Sequence, residues 1–103
     1  MHRPRRRLVL ALLILLALAS TACGPSAQEV VGVVVDVQAV SLLEVRSLTI
    51  ETPARERLVF TTRGDIGFTA SHLREHMVAG DPLKVTYIKE GEELRALRVE
   101  DAP

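Results

Sequence analysis

The chain has 103 residues, of which 13 are basic, 13 are acidic and 48% are apolar. That length allows one ordinary domain, which argues against a large multidomain enzyme and a membrane protein with many spans. Residues 1–22 hold four arginines and no acid, so residues 23–103 carry a net charge of about −4, a balance that argues against a basic nucleic-acid binder.

The N-terminal segment has the pattern of an export signal. Residues 1–7 are rich in arginine, and the twelve residues 8–19 are all apolar. As a helix, twelve residues cover about 18 Å, which is short of a hydrocarbon core of about 30 Å. The pattern therefore favours a signal peptide, and an uncleaved membrane anchor is the alternative.

The only cysteine directly follows small residues, in the run Ser20-Thr21-Ala22-Cys23. This run resembles the lipobox of bacterial lipoproteins, although Ser20 stands where that family usually has leucine. The resemblance implies cleavage after Ala22 and attachment of a diacylglyceryl group to the Cys23 thiol. The protein would then be anchored in the cell envelope, either in the outer leaflet of the cytoplasmic membrane or on the periplasmic side of an outer membrane. Cleavage after Ala19, which would release a soluble protein with a free thiol, is the alternative.

Two strands are predicted after a short tether. In residues 30–40 the odd positions 31 to 39 are all apolar and are predicted to face the core, and Gly32 is expected to mark a bend or a close approach. In residues 44–52 the apolar positions change phase near Ser47. A β-bulge there would restore the facing and curl the strand, as a barrel requires.

A third strand and one helix follow. Leu58 and Phe60 are predicted to point inward from the third strand. Residues 69–79 are predicted to form a helix with Thr69 as its N-cap and Gly80 as its stop.

Two more strands are predicted over residues 83–88 and 94–99, where apolar and polar residues alternate. Three strands, one short helix and two strands form an order that resembles the OB-fold, a five-stranded Greek-key barrel. A mainly β protein with a small OB-like barrel is therefore predicted, and a β-sandwich or an open sheet is the alternative. The predicted segments are a signal peptide (1–22), the lipidated cysteine and tether (23–29), the barrel (30–100) and a tail (101–103).

The predicted helix carries the one candidate metal-binding pair. His72 and His76 are four residues apart, a spacing that places both imidazoles on one helix face. The sequence identifies no third ligand, although Asp65 and Asp81 are candidates. The competing interpretation is a solvent-exposed pair of histidines.

No motif in the sequence indicates catalysis. Ser71 and His72 are adjacent on a helix and do not face each other, and no phosphate-binding glycine loop is present. The sequence thus predicts a non-enzymatic binding or accessory module of the envelope, with no cofactor other than the lipid. Its partners would be the membrane and an envelope protein, at the barrel face near the helix and the ends of the first and fourth strands. An envelope metal-binding protein that uses His72 and His76 is the alternative function.

Overall fold

The computed structural model describes residues 26–103, which form five strands and one helix. The elements in chain order are β1 (Gln28–Ala39), β2 (Val45–Glu51), β3 (Arg57–Thr62), α1 (Ala70–Ala79), β4 (Leu83–Glu90) and β5 (Glu93–Asp101). The predicted signal peptide, its cleavage residue Ala22 and the lipidation residue Cys23 lie outside the described residues.

The five strands close into a barrel in the order β1-β2-β3-β5-β4. β1 pairs antiparallel with β4 along its first residues and with β2 along the rest of its length. β3 pairs with β5 in parallel, and this contact closes the barrel on the other side. The predicted OB-like barrel, with its helix between β3 and β4, is confirmed, and the closure excludes an open sheet or a sandwich.

The predicted facing of β1 is wrong in its first half. Val34 is buried, whereas Val31 is exposed and Val35 is only half-buried. Val34 and Asp36 pair with two consecutive residues of β2. Val35, which lies between them, is therefore the extra residue of a bulge. Positions 30, 32 and 34 therefore face inward before the bulge, and positions 37 and 39 do so after it.

Two further bulges bend the barrel wall. The predicted bulge in β2 is confirmed next to Ser47. Ser47 and Val45 pair with two consecutive residues of β1, so Arg46 between them has no pairing partner in β1. In β5 the extra residue is Leu97, between the partners of Thr86 and Tyr87. Bulges of this kind increase the local twist and let a few strands close on themselves.

The barrel interior and the inner side of α1 share one apolar core. Its fully buried large side chains are Phe60, Leu48, Ile50, Leu73, Leu83, Val34, Val85 and Val99. Leu73 comes from α1, so the helix is fixed to the barrel by its own apolar side chain. Gly32 lies where β1 meets β2, and a Cβ there would be 2.7 Å from the carbonyl oxygen of Glu51, which confirms the predicted close approach.

The barrel extends beyond its predicted boundaries at both ends. β1 begins at Gln28, within the predicted tether, because Gln28 pairs with Tyr87 of β4. β5 continues to Asp101, which the sequence had suggested as part of a tail. Asp101 belongs to the strand because its backbone pairs with Leu83, the first residue of β4.

Candidate functional site

The helix α1 holds both histidines of the barrel in a defined arrangement. Its first turn is capped by Thr69, whose hydroxyl accepts a hydrogen bond from the His72 backbone N–H at 3.1 Å. Its end is fixed by Gly80, which has φ 72 and donates its N–H to the His76 carbonyl oxygen at 2.9 Å. Both predicted helix limits are confirmed. They fix the positions of the two histidines relative to the barrel.

His76 is buried and has a polar partner at each ring nitrogen. Its Nδ1 lies 3.2 Å from the backbone carbonyl oxygen of Asp81. Its Nε2 lies 3.1 Å from Oδ1 of Asp101. The prediction of a solvent-exposed pair is therefore wrong for His76, because the residues that follow α1 and end β5 enclose its ring.

His72 lies one helical turn earlier and is exposed. Its ring stacks on Phe68, with centroids 4.3 Å apart and planes 10° apart. The His72 and His76 rings lie 5.0 Å apart. The stacking on Phe68 therefore restricts rotation of the His72 imidazole.

The structure brings a third ligand-type group to the histidines. One ligand atom from each of His72, His76 and Asp101 lies within 4.8 Å of the other two. We refer to these three residues as the His-Asp cluster. Its two nitrogens and one oxygen form a donor set that suits a zinc- or copper-type ion.

The two aspartates proposed from the sequence as third ligands do not complete this cluster. Asp81 contributes its backbone carbonyl oxygen to His76. The Asp65 carboxylate accepts a hydrogen bond from the Gly67 N–H at 2.7 Å, which stabilises the loop before α1. Sequence reasoning missed Asp101 because it placed this residue in a tail, and a longer β5 was the one signal that would have found it.

A cleft of about 590 Å³ lies beside the N-terminal end of α1. It is formed by residues 43–45, which lead into β2, and by residues 64–69, which lead into α1. Leu42 and Leu43 on the adjoining β1–β2 loop are 69% and 73% exposed. The loop is held to the helix by a hydrogen bond from the Ser71 N–H to the Leu42 carbonyl oxygen at 3.0 Å. The cleft thus has an apolar rim attached to a rigid helix terminus.

A charged group joins three strands on another part of the barrel. Lys84 of β4 lies 3.1 Å from Glu100 of β5 and 3.9 Å from Glu29 of β1. The hydrogen bond and the charge of Lys84 lower the pKa of Glu100, and Arg98 adds a smaller effect in the same direction. This group links strands at the register position next to Asp101. It lies on the other face of the sheet from the His-Asp cluster, because successive residues of a strand point to opposite faces.

Within residues 26–103 we find no helix that is both long enough and apolar enough to span a membrane.

Comparison with known proteins gives no match with a family model, a curated protein or a solved structure.

Proposed function

We propose that this protein is an exported bacterial lipoprotein whose barrel is a non-catalytic binding module for another protein of the cell envelope. A diacylglyceryl group on Cys23 would hold it in the membrane, after removal of residues 1–22. The lipid chains would supply the anchor, since each buried methylene contributes about 0.8 kcal/mol and two chains suffice for stable attachment.

The distance between the cysteine and the barrel determines where such an anchor would hold the barrel. Gln28 begins β1, and five residue steps separate it from Cys23. Such a segment spans at most about 18 Å when fully extended. A lipid on Cys23 would therefore keep the first residues of β1 close to the membrane surface.

The observation that carries the binding role is the position of the cleft along β1. Gln28 lies at one end of β1, and the β1–β2 loop with Leu42 and Leu43 follows its other end. An anchor at the first end would place the exposed leucines and the cleft at the opposite end of β1 from the lipid. Exposed apolar patches mark sites that contact proteins, membranes or ligands, and we assign this one to a protein partner. None of the cleft residues comes from β4, so the proposed contact lies near the helix and the end of β1 alone.

The anchor is tested by the intact mass of the protein recovered from bacterial membranes. We expect a chain that begins at Cys23 and carries the added mass of acyl chains. A Cys23→Ser variant should lack that mass. Recovery of an unmodified chain that begins at Ser20 would instead establish cleavage after Ala19 and contradict the lipoprotein assignment.

The binding surface is tested by a photo-crosslinking amino acid placed at Leu43 of the membrane-anchored protein. We expect one discrete adduct with an envelope protein, and we expect its loss when Leu42→Glu is added. The matched control carries the crosslinker at Val59, which is 59% exposed on β3 and does not line the cleft. Equal crosslinking from both positions, or none from Leu43, would contradict the proposal.

A further inference from the structure

We propose that the His-Asp cluster binds one divalent transition-metal ion of the zinc or copper class. His72 and His76 would each supply a ring nitrogen, and Asp101 would supply a carboxylate oxygen. This inference does not depend on the lipid anchor, and none of its ligand residues lines the cleft, although Phe68, which stacks on His72, does.

The first argument is the orientation of His76. The Asp81 carbonyl oxygen can only accept a hydrogen bond, so Nδ1 must carry a proton to donate to it at 3.2 Å. The other nitrogen, Nε2, is then the one that is free to act as a ligand. Metal-binding histidines commonly hold their second nitrogen in this way, with a backbone carbonyl or a carboxylate as acceptor.

The second argument concerns the two groups that face each other when Nδ1 of His76 carries the proton. In the neutral ring with its proton on Nδ1, the Nε2 lone pair faces the Asp101 carboxylate at 3.1 Å. Two acceptors at that distance repel each other unless a cation lies between them. A proton on Nε2 can do so for this pair, whereas a metal ion can do so for the pair and also bind His72, whose ligand atom lies within 4.8 Å of both.

The third argument is that the cluster is built from fixed elements. Asp101 is held by its pairing with Leu83, and the next residue, Ala102, donates its N–H to the Pro82 carbonyl oxygen at 3.4 Å. The His72 ring rests on Phe68. Ligands on rigid elements with supported side chains are a property of built metal sites.

The distances require only small side-chain movements. A tetrahedral ion with bonds of about 2.0–2.1 Å has ligand atoms about 3.3 Å apart. The Nε2–Oδ1 distance of 3.1 Å already fits that separation. Asp101 is exposed, so rotation of its side chain, with a small shift of the His72 ring along Phe68, can shorten the remaining distances, which are at most 4.8 Å, to this value.

The donor set selects the class of ion. Two imidazoles suit zinc and copper, whereas calcium and magnesium prefer oxygen ligands throughout. Three protein ligands leave a fourth position for water, as in zinc sites that are not closed by four side chains.

The test is calorimetric titration of the full chain in nonionic detergent with Zn²⁺, and then with Cu²⁺. A His2→Gln, Cys23→Ser background leaves His72 and His76 as the only histidines and removes the thiol. We expect one ion per chain. Asp101→Asn and His72→Gln should each weaken binding by about tenfold or more. Both positions are exposed, so these variants are expected to fold, which circular dichroism checks.

A matched control and a spectroscopic readout separate this site from nonspecific binding. Glu75→Gln changes an exposed carboxylate on the same helix outside the cluster and should leave the affinity unchanged. Bound Co²⁺ should give the visible absorption of a four-coordinate ion, and Asp101→Asn should lose it. The proposal is overturned if neither Zn²⁺ nor Cu²⁺ binds the parent protein, or if both cluster variants bind as the parent does.

Discussion

Nε2 of the buried His76 lies 3.1 Å from the carboxylate of Asp101, which is 74% exposed. The two residues belong to different elements, the helix and the last strand, and their contact ties the end of α1 to the end of β5. Solvent screens such a half-exposed pair, so its role in stability is small even though its geometry defines the candidate metal site.

We expect Asp101→Asn to change the free energy of unfolding by about 1 kcal/mol or less in the absence of metal. The comparison variant is Asp81→Asn, which keeps the backbone carbonyl that contacts His76 and should have no effect through this ring. Urea unfolding of the full chain in nonionic detergent, followed by circular dichroism, measures both. A larger loss in Asp81→Asn than in Asp101→Asn would contradict the assigned contacts.

The corrected facing of β1 predicts which valine the barrel cannot lose. Val34 is 2% exposed, so Val34→Asp would bury an unpaired charge and should cost about 3 kcal/mol or more, enough to unfold most of the chain. Val59→Asp places the same side chain at a position that is 59% exposed on β3 and should leave the barrel folded. Similar unfolding midpoints for the two variants would show that the strand facing is wrong.

The β1 sequence explains why its facing could not be derived from alternation. Valines occupy positions 30, 31, 33, 34, 35 and 37, so both faces of an unbroken strand read as apolar. The bulge at Val35 depends on the register with β2, which alternation within one strand does not contain. In β2 the phase change was visible at Ser47 because polar residues there separate the two apolar sets.

The helix shows the opposite case. Thr69 and Gly80 act on neighbouring backbone groups, so a local pattern was sufficient to place both ends of α1. Only part of the His-Asp cluster could be predicted from a local pattern in this way. The spacing of His72 and His76 is local, but the approach of Asp101 depends on the pairing of β5 with Leu83, a contact between distant parts of the chain.

The N-cap of α1 can be tested by removing one hydroxyl. Thr69 accepts the hydrogen bond of the His72 N–H at 3.1 Å, so Thr69→Ala should destabilise the protein by about 1 kcal/mol. Thr69→Ser keeps the hydroxyl and should retain most of the stability. Thermal or urea unfolding distinguishes the two variants, and equal losses would show that the hydroxyl does not act as the cap.

Gly32 is expected to tolerate no side chain. A Cβ at this position would be 2.7 Å from the Glu51 carbonyl oxygen and 3.1 Å from Cδ1 of Ile50, so Gly32→Ala must push β1 and β2 apart. We expect a loss of about 1–3 kcal/mol, typical of overpacking. Gln38→Ala, at an exposed position of the same strand, serves as the control. A Gly32→Ala variant as stable as the Gln38→Ala variant would contradict the close approach.

The ion pair of Lys84 and Glu100 predicts a pH dependence of stability. The hydrogen bond and charge of Lys84 lower the pKa of Glu100 in the folded protein, so the unfolded chain binds more protons in that range and stability rises with pH. The contribution is present above the ordinary glutamate pKa and is lost as the pH falls through the lowered value. We therefore expect the difference in urea midpoint between the parent and Glu100→Gln to be largest near neutral pH and to shrink on acidification.

Glu92→Gln is the control, because Glu92 takes part in none of the ion pairs found among residues 26–103, and its difference from the parent should vary less with pH. A difference for Glu100→Gln that stays constant from neutral to acidic pH would contradict the stabilising role of this pair.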